Sequence, residues 1–417
     1  MSSSGGGLIQ LIAYGAQDVY LTGDPQTTLW KQKFSRKTNY ALESIQQTIA
    51  GTINYDSSTS ITLARNGDLI CGLMAEVTMI RGASGPGSPE VYYPAEALFE
   101  SIELRIGGQL IDTLYHNWFR LYDELFYNAK QTQGYADMMN FTQEIEGQAR
   151  TFYFPIPFFF SSMLSGLALP MIALQYHEIE IKFNFAKASD IQGVDTSSPP
   201  VVKIYADYVF LDTKERESFA QNPHEYVITQ LQYQKQAIRF SNVQALRYGV
   251  SLNFNHPTKM LTWACTQPGI HGQFTALQGA TQDNTAAPLA RVNLQLNGRD
   301  RFTTRAGKYF TNAQPWLCQK GNYYSSGVYA YHFGLNNVVG TQPSQTLNFS
   351  RIDNATLVLH TKINNVPGPF GPGVTSYSTT EEQTYEITSN LTTIEIYALN
   401  YNVLRVMSGM GGLAYAN

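Results

Sequence analysis

The chain has 417 residues, room for two domains of about 200 each, and its 28 basic and 32 acidic residues leave a net charge of −4. Only 14% of residues are charged and 13% are aromatic, and no dense Lys/Arg run appears. A surface that tracks nucleic-acid phosphates is therefore not expected, and no direct nucleic-acid contact is predicted. Few charges and many aromatics suit a protein that hides its surface against neighbours; a β-rich protein with large cores has the same composition.

In chain order, Met1–Gly7 is Ser/Gly-rich and lacks the basic start of a signal peptide. The apolar runs Leu8–Ala13, Phe152–Phe160 and Met163–Leu174 fall short of the roughly 20 residues that span a bilayer, so any membrane association is expected to be peripheral. Ile102-Glu-Leu-Arg-Ile106 alternates apolar and charged residues. Period two places one row in a core and the other in solvent or against a partner. His116–Ala129 predicts a helix, with Trp118, Leu121, Tyr122 and Leu125 on one face. Ile179–Phe185 alternates over its whole length, and Val202-Lys-Ile204 and Ile394-Glu-Ile396 repeat the pattern. A short helix is expected over Lys214–Gln221, ending before Asn222-Pro223. Between these runs, Arg81–Ala97, Asn128–Arg150, Thr266–Arg291 and Asn364–Asn390 are rich in Gly, Pro, Gln and Thr. They read as long exposed loops at the ends of sandwiches.

The chain also repeats itself. Ile102-Glu-Leu-Arg-Ile-Gly-Gly108 matches Val292-Asn-Leu-Gln-Leu-Asn-Gly298, each reading as strand, tight turn, strand. Ile179–Ile181 corresponds to Leu357–Leu359, and Lys203-Ile-Tyr-Ala-Asp-Tyr208 to Glu395-Ile-Tyr-Ala-Leu-Asn-Tyr401. Chance likeness among strands is the competing explanation. Three matches in the same order favour two similar all-β domains in tandem, divided near residues 213–224.

Motifs that resemble chemistry fail on context. Gly409-Met-Gly411-Gly-Leu-Ala414 matches G-x-G-x-x-A, but a dinucleotide fold needs a helix and an acid about 20 residues further on, and the sequence stops at Asn417. His177-Glu178 and His224-Glu225 lack the second histidine of a zinc helix, and the seven histidines are scattered. They read as strand-end or core hydrogen-bonding residues. Cys71, Cys265 and Cys318 are odd in number and far apart, which argues against a disulfide framework or a zinc site and fits a reducing compartment. The carboxylate pairs Glu144/Glu146 and Glu381/Glu382 lie in polar loops. No catalytic residue, metal or cofactor is expected. Of the four N-x-S/T sequons, at Asn140, Asn348, Asn354 and Asn390, the loop positions Asn140 and Asn390 are the candidates for glycosylation. A carbohydrate-binding sandwich, with aromatic loops such as Tyr323-Tyr324 stacking on sugars, is the alternative function.

Several long segments carry a family resemblance. Gly5–Gly23, Leu167–Pro170 with Ile172–Glu178, Asn255–Pro257 with Leu261–Trp263, Gln342–Ser344 with Asn348–Ala355, and Tyr397–Asn417 are similar, in order, to the major capsid proteins of nucleocytoplasmic large DNA viruses. The resemblance departs in the loops around residues 81–97 and 266–291. It implies two eight-stranded jelly rolls with a few short helices in loops: an arm over residues 1–24, a first jelly roll over 25–217 and a second over 218–417. It implies a homotrimeric, pseudo-hexagonal capsomer that tiles an icosahedral virion shell assembled in the host cytoplasm. The implied partners are further copies, minor capsid and penton proteins, and an internal membrane near the N-terminal arm. Leu8, Ile9, Leu11 and Ile12 would order on assembly, or pack beneath the first domain.

Overall fold

Strand Ile179–Phe185 buries Ile179, Ile181, Phe183 and Phe185 and half-exposes the residues between, because successive side chains of a pleated strand point to opposite faces. The same rule builds most of the molecule. The computed structural model describes residues 5–22, 38–82, 93–127, 129–139, 146–161, 166–191, 193–240, 246–266, 288–318, 327–334, 343–362 and 390–415. The chain divides into two units, Met1–Tyr40 and Ala41–Asn417.

In chain order the first nine strands are β1 (Tyr40–Gln47), β2 (Ser58–Thr62), β3 (Leu69–Ile80), β4 (Phe99–Ile106), β5 (Gln109–Tyr115), β6 (Ala149–Pro155), β7 (Leu169–Pro170), β8 (Ile179–Phe185) and β9 (Val201–Leu211). They form one sheet ordered β1-β9-β3-β6, with β7 on β3, and a second ordered β2-β8-β4-β5. The next ten are β10 (His224–Phe240), β11 (Arg247–Ser251), β12 (Pro257–Thr266), β13 (Leu289–Leu296), β14 (Arg299–Ala306), β15 (Val328–His332), β16 (Leu347–Asn348), β17 (Ala355–Thr361), β18 (Asn390–Met407) and β19 (Met410–Leu413). Their sheets run β10-β18-β12-β15, with β16 on β12 and β19 on β18, and β11-β17-β13-β14. Position for position, the second set repeats the first. Each half is a jelly-roll sandwich with eight principal strands.

The three sequence matches fall on equivalent strands: β4 with β13, β8 with β17, and β9 with β18. The hairpin turns also agree. Gly107 and Gly108 take φ of 56° and 81°, and Asn297 and Gly298 take 49° and 76°, the two successive positive φ values of a two-residue turn that matches strand twist. At Gly107 space forbids a side chain as well, since a Cβ there would lie 2.4 Å from His177 Nδ1.

The first core centres on Phe99, which packs on Phe154 at 5.5 Å and on Phe183 at 5.8 Å between ring centroids. The second centres on Trp263, 5.3 Å from Phe310 and 6.0 Å from Tyr329. Trp263 is fully buried.

Within Met1–Tyr40, α1 (Gly5–Ile12) precedes a 3-10 turn (Ala16–Asp18) and α2 (Val19–Thr22). Leu8, Ile9, Leu11 and Ile12 are exposed on α1. No described helix is long and apolar enough to cross a membrane.

Helix α4 (His116–Phe126) lies where periodicity predicts one, buries Trp118, Leu121 and Leu125, and ends three residues earlier than expected. Helix α6 (Thr213–Gln221) starts at Asp212, whose side chain accepts the Thr213 N–H. Two segments read as exposed loops contain helices instead. α3 (Pro94–Leu98) is buried throughout, with proline suited to its first turn. α5 (Ala129–Met139) buries Tyr135 and Met139, and its polar sequence hides these two anchors from any periodicity test. A π-turn (Tyr309–Ala313) and α7 (Gln314–Cys318) follow β14, where Pro315 disguises the helix. The loops expected over 266–291 and 364–390 lie almost wholly outside the described residues.

Candidate assembly faces and the joint between the sandwiches

The two sandwiches share a buried wall. Strand β12 is buried from Thr258 to Thr266. Leu261, Trp263 and Cys265 enter the second core, whereas Met260 and Ala264 join the first sandwich's core. Likewise Ile394, Ile396 and Ala398 of β18 face the second core, and Tyr397 and Leu399 face the first. A sheet covered on both faces reads as a continuous apolar run.

Polar groups fix the register of this joint. Asn117 Nδ2 on α4 donates to Glu395 Oε2 at 2.9 Å, and the Tyr397 hydroxyl donates to the same oxygen at 2.7 Å. His116 Nε2 stands 3.6 Å from Glu395 Oε1. Burial pushes the Glu395 carboxyl up, but its contacts with His116, Tyr397 and Asn117 outweigh burial and hold it below the usual carboxylate range. The Leu231 N–H donates to Asp112 Oδ1 at 3.0 Å, and Gln230 Nε2 donates to the Ile111 carbonyl. Asp112 is buried, which raises its pKa to about 7. Tyr115 stacks on Tyr233 at 4.3 Å, and Trp118 packs on Tyr397 at 5.4 Å.

The glycines of the rejected dinucleotide motif belong to the β18–β19 hairpin, which docks on the first sandwich. Tyr176 N–H donates to the Gly409 carbonyl at 2.9 Å, and His177 Nδ1 lies 2.9 Å from the Gly411 carbonyl oxygen. A Cβ on Gly411 would lie 2.5 Å from Leu174 Cδ2. These glycines serve close backbone approach, not phosphate binding.

Helices α3, α4 and α5 enclose a buried acidic cluster. Glu96 is 0% exposed; its Oε1 accepts the Tyr135 hydroxyl at 2.6 Å. Arg120 Nη1 donates to Asp123 Oδ2 at 2.7 Å and covers the Tyr93 ring at 4.1 Å. Burial raises Glu96 from 4.5 to about 7, against the opposing pull of Arg120 and Tyr135. The folded chain thus binds this proton more tightly than the unfolded chain. Its stabilising contribution is complete below pH 4.5 and is lost as pH rises through about 7. At 1.36 kcal/mol per unit, the loss is about 3 kcal/mol. Glu96→Gln is expected to flatten stability against pH between 4.5 and 8 in denaturant titrations. An unchanged slope would show that Glu96 is already charged in the folded state.

The histidines play local roles. His224 Nε2 lies 2.9 Å from the Phe219 carbonyl oxygen, and burial lowers His332 to about 4. His271 lies outside the described residues. Among the described residues, no three His, Cys, Asp or Glu side chains gather as metal donors. Cys71 and Cys265 are buried, Cys318 is partly exposed, and all three are free. Glu144, Glu381, Glu382, Asn140 and Tyr323-Tyr324 lie outside the described residues. So does the Asn390 side chain, although its backbone opens β18. Asn348 accepts the Ser350 N–H at 3.0 Å.

Large apolar side chains remain uncovered in several places: Tyr40 and Leu42 on the edge strand β1, Trp316 and Leu317 on α7, and Tyr176, Met407 and Met410 beside the β18–β19 turn. Single exposed apolar residues are ordinary, but grouped ones mark contact surfaces.

Residues 28–212 match the family described as major capsid protein N-terminus, and residues 215–412 match the family described as large eukaryotic DNA virus major capsid protein. The chain is 45% identical to the major capsid protein of Paramecium bursaria Chlorella virus 1, covering 99% of this chain and 100% of the relative. It is 37% identical to that of Pyramimonas orientalis virus, with the same coverage. Among solved structures, the PBCV-1 virus capsid aligns with a TM-score of 0.82 at 41% identity, over 94% of this chain and 100% of the other. The Faustovirus major capsid protein shares the fold, with a TM-score of 0.71 at 10% identity and 94% coverage of both chains. The duplicated sandwiches, the joint that fuses them and these full-length similarities place the chain in one family: it belongs to the major capsid proteins of large eukaryotic DNA viruses, a double jelly roll that builds the virion shell and is not an enzyme.

Proposed function

We propose that three copies of this chain close into a pseudo-hexagonal capsomer, and that these capsomers tile an icosahedral shell. One observation carries the reading: two sandwiches of the same strand order are fused through a shared buried wall. A rigid pair of like wedges, repeated three times around an axis, presents six similar sides, and heterologous contacts that close on themselves make a ring. Low charge and grouped exposed apolar side chains support the covering of its flanks by further copies. The proposed division places the arm at 1–24, the first jelly roll at 25–217 and the second at 218–417, the last boundary falling within the linking helix α6.

Minor capsid and penton proteins are the proposed partners at the shell's inner side and vertices. The arm, with its exposed Leu8, Ile9, Leu11 and Ile12, is proposed to meet them or an internal membrane. Assembly in the host cytoplasm suits the three free thiols. The net charge of −4 supports a shell that encloses its genome without gripping it. Asn140 and Asn390 are the proposed sites of sugar attachment. Light scattering on the purified protein is expected to report the mass of three 46.6 kDa chains. A monomer at micromolar concentration would overturn the capsomer reading.

A further inference from the structure

The joint inside one chain shows how a sandwich of this kind covers its neighbour. Helix α4, in the connection between β5 and β6, lays Trp118 on Tyr397 of β18 at 5.4 Å. Tyr397, Ala264 of β12 and Val328 of β15 are buried and join the first sandwich's core. The duplication assigns these residues counterparts. Tyr205 of β9 stands where Tyr397 stands in the matched Ile-Tyr-Ala segments. In the second sandwich Tyr397 lies opposite Thr262, and the next outward pair, Glu395 and Ala264, leads on to Val328. In the first, Tyr205 lies opposite Met74, and the next outward pair, Lys203 and Glu76, leads on to Tyr153 of β6. Tyr153 is thus the counterpart of Val328.

That face of the first sandwich is uncovered. Tyr153 and Val201 are exposed, and Tyr205 is half-buried. Lys203 Nζ donates to Glu76 Oε1 at 2.7 Å, so these two charges neutralise each other beside the aromatic rings. The second sandwich carries the matching cover. Its connection between β14 and β15 is the counterpart of the one that holds α4, and it forms the π-turn and α7. Gln314 anchors α7: its Oε1 accepts the His332 N–H at 3.2 Å, and its Nε2 donates to the Tyr309 hydroxyl at 2.8 Å. Beyond that anchor Trp316 and Leu317 are 69% and 68% exposed. Two adjacent large apolar side chains held out on a buried anchor mark a contact surface, and tryptophan is among the residues that dominate such contacts.

We propose that Trp316 and Leu317 of one copy pack on the outer face of the sheet β1-β9-β3-β6 of a second copy, over Tyr153, Val201 and Tyr205, as Trp118 packs on Tyr397 within the chain. The occupant is a second copy because the two surfaces are the counterparts of the two sides of the joint, and every copy presents one of each. The contact, which rests on the trimeric capsomer proposed above, is head-to-tail. Each copy gives α7 to the next and receives α7 from the one before, so the chain of contacts ends only when the ring closes.

Photo-crosslinking of the full chain tests the contact. A benzoylphenylalanine in place of Trp316 keeps a large apolar side chain at an exposed position. Irradiation is expected to join copies covalently, with the attachment mapped by peptide mass spectrometry to β6 or β9 of the other copy. Trp316→Asp and, separately, Tyr153→Asp are expected to raise the concentration at which light scattering shows half-dissociation by at least about tenfold. Both side chains are exposed within the chain, so the parent's far-ultraviolet circular dichroism should be retained. A three-chain mass with the crosslink elsewhere or absent, or with both folded variants as tightly assembled as the parent, overturns these surfaces and leaves the trimer standing. An unaltered protein that stays monomeric overturns the trimer and this contact with it.

Discussion

Trp263→Ala is expected to lower the stability of the second jelly roll by about 3–5 kcal/mol, as when a buried large aromatic is truncated and its site cannot collapse. Trp263 is 0% exposed and stacks nearly parallel to Tyr329, with an interplanar angle of 6°. Phe310 closes its other side at 5.3 Å. These rings sit on β12, β15 and the π-turn after β14, so the hole would be lined by three elements held in place by their own ladders. Trp263→Phe should cost much less: it keeps most of the ring area, and the indole Nε1 has no hydrogen-bond partner among the described residues. Denaturant unfolding followed by circular dichroism measures both. An alanine variant with the parent's midpoint would show that the core refills the space.

Glu395→Ala is expected to cost about 3–5 kcal/mol, because removing one member of a buried, paired polar group leaves its partners desolvated and unsatisfied. Here the stranded groups would be the Asn117 amide, the Tyr397 hydroxyl and the imidazole of His116. Two of these belong to the first sandwich and one to the second, so the damage falls on the joint. Glu395→Gln keeps an acceptor oxygen and should cost less. The pH dependence has the opposite sign to that of Glu96. The Glu395 pKa is held below its ordinary value in the folded chain, so its contribution is present above the unfolded pKa and is lost as pH falls through the folded one. Trp118 lies 5.4 Å from Tyr397 and makes its fluorescence a local reporter. If Glu395→Ala left both the unfolding midpoint and the Trp118 emission unchanged, the joint would be held by apolar packing alone.

Much of the architecture was legible in the sequence, for identifiable reasons. Period-two alternation at Ile179–Phe185 and Ile102–Ile106 marks strands with one buried face. The paired turns Gly107-Gly108 and Asn297-Gly298 mark equivalent hairpins, because only such residues accept two consecutive positive φ values at little cost. Helix α4 showed itself through the spacing of Trp118, Leu121 and Leu125. Helices α3 and α5 did not. Pro94–Leu98 is too short to show a period, and α5 buries only Tyr135 and Met139 among polar neighbours. The acidic cluster they enclose was hidden with them, since Glu96 and Asp123 read as loop and helix-surface charges until a third element covered them.

The sequence by itself determined the local elements, the duplication and the all-β class, because each depends on neighbours a few residues away or on a pattern used twice. Tertiary structure decided what the outward-facing rows of β12 and β18 touch. Met260, Ala264, Glu395 and Tyr397 occupy positions that alternation alone assigns to solvent or to a partner, and the partner is the other sandwich of the same chain. Burial on the second face of a sheet is set by which distant surface packs on it, and one strand's alternation carries no record of that surface.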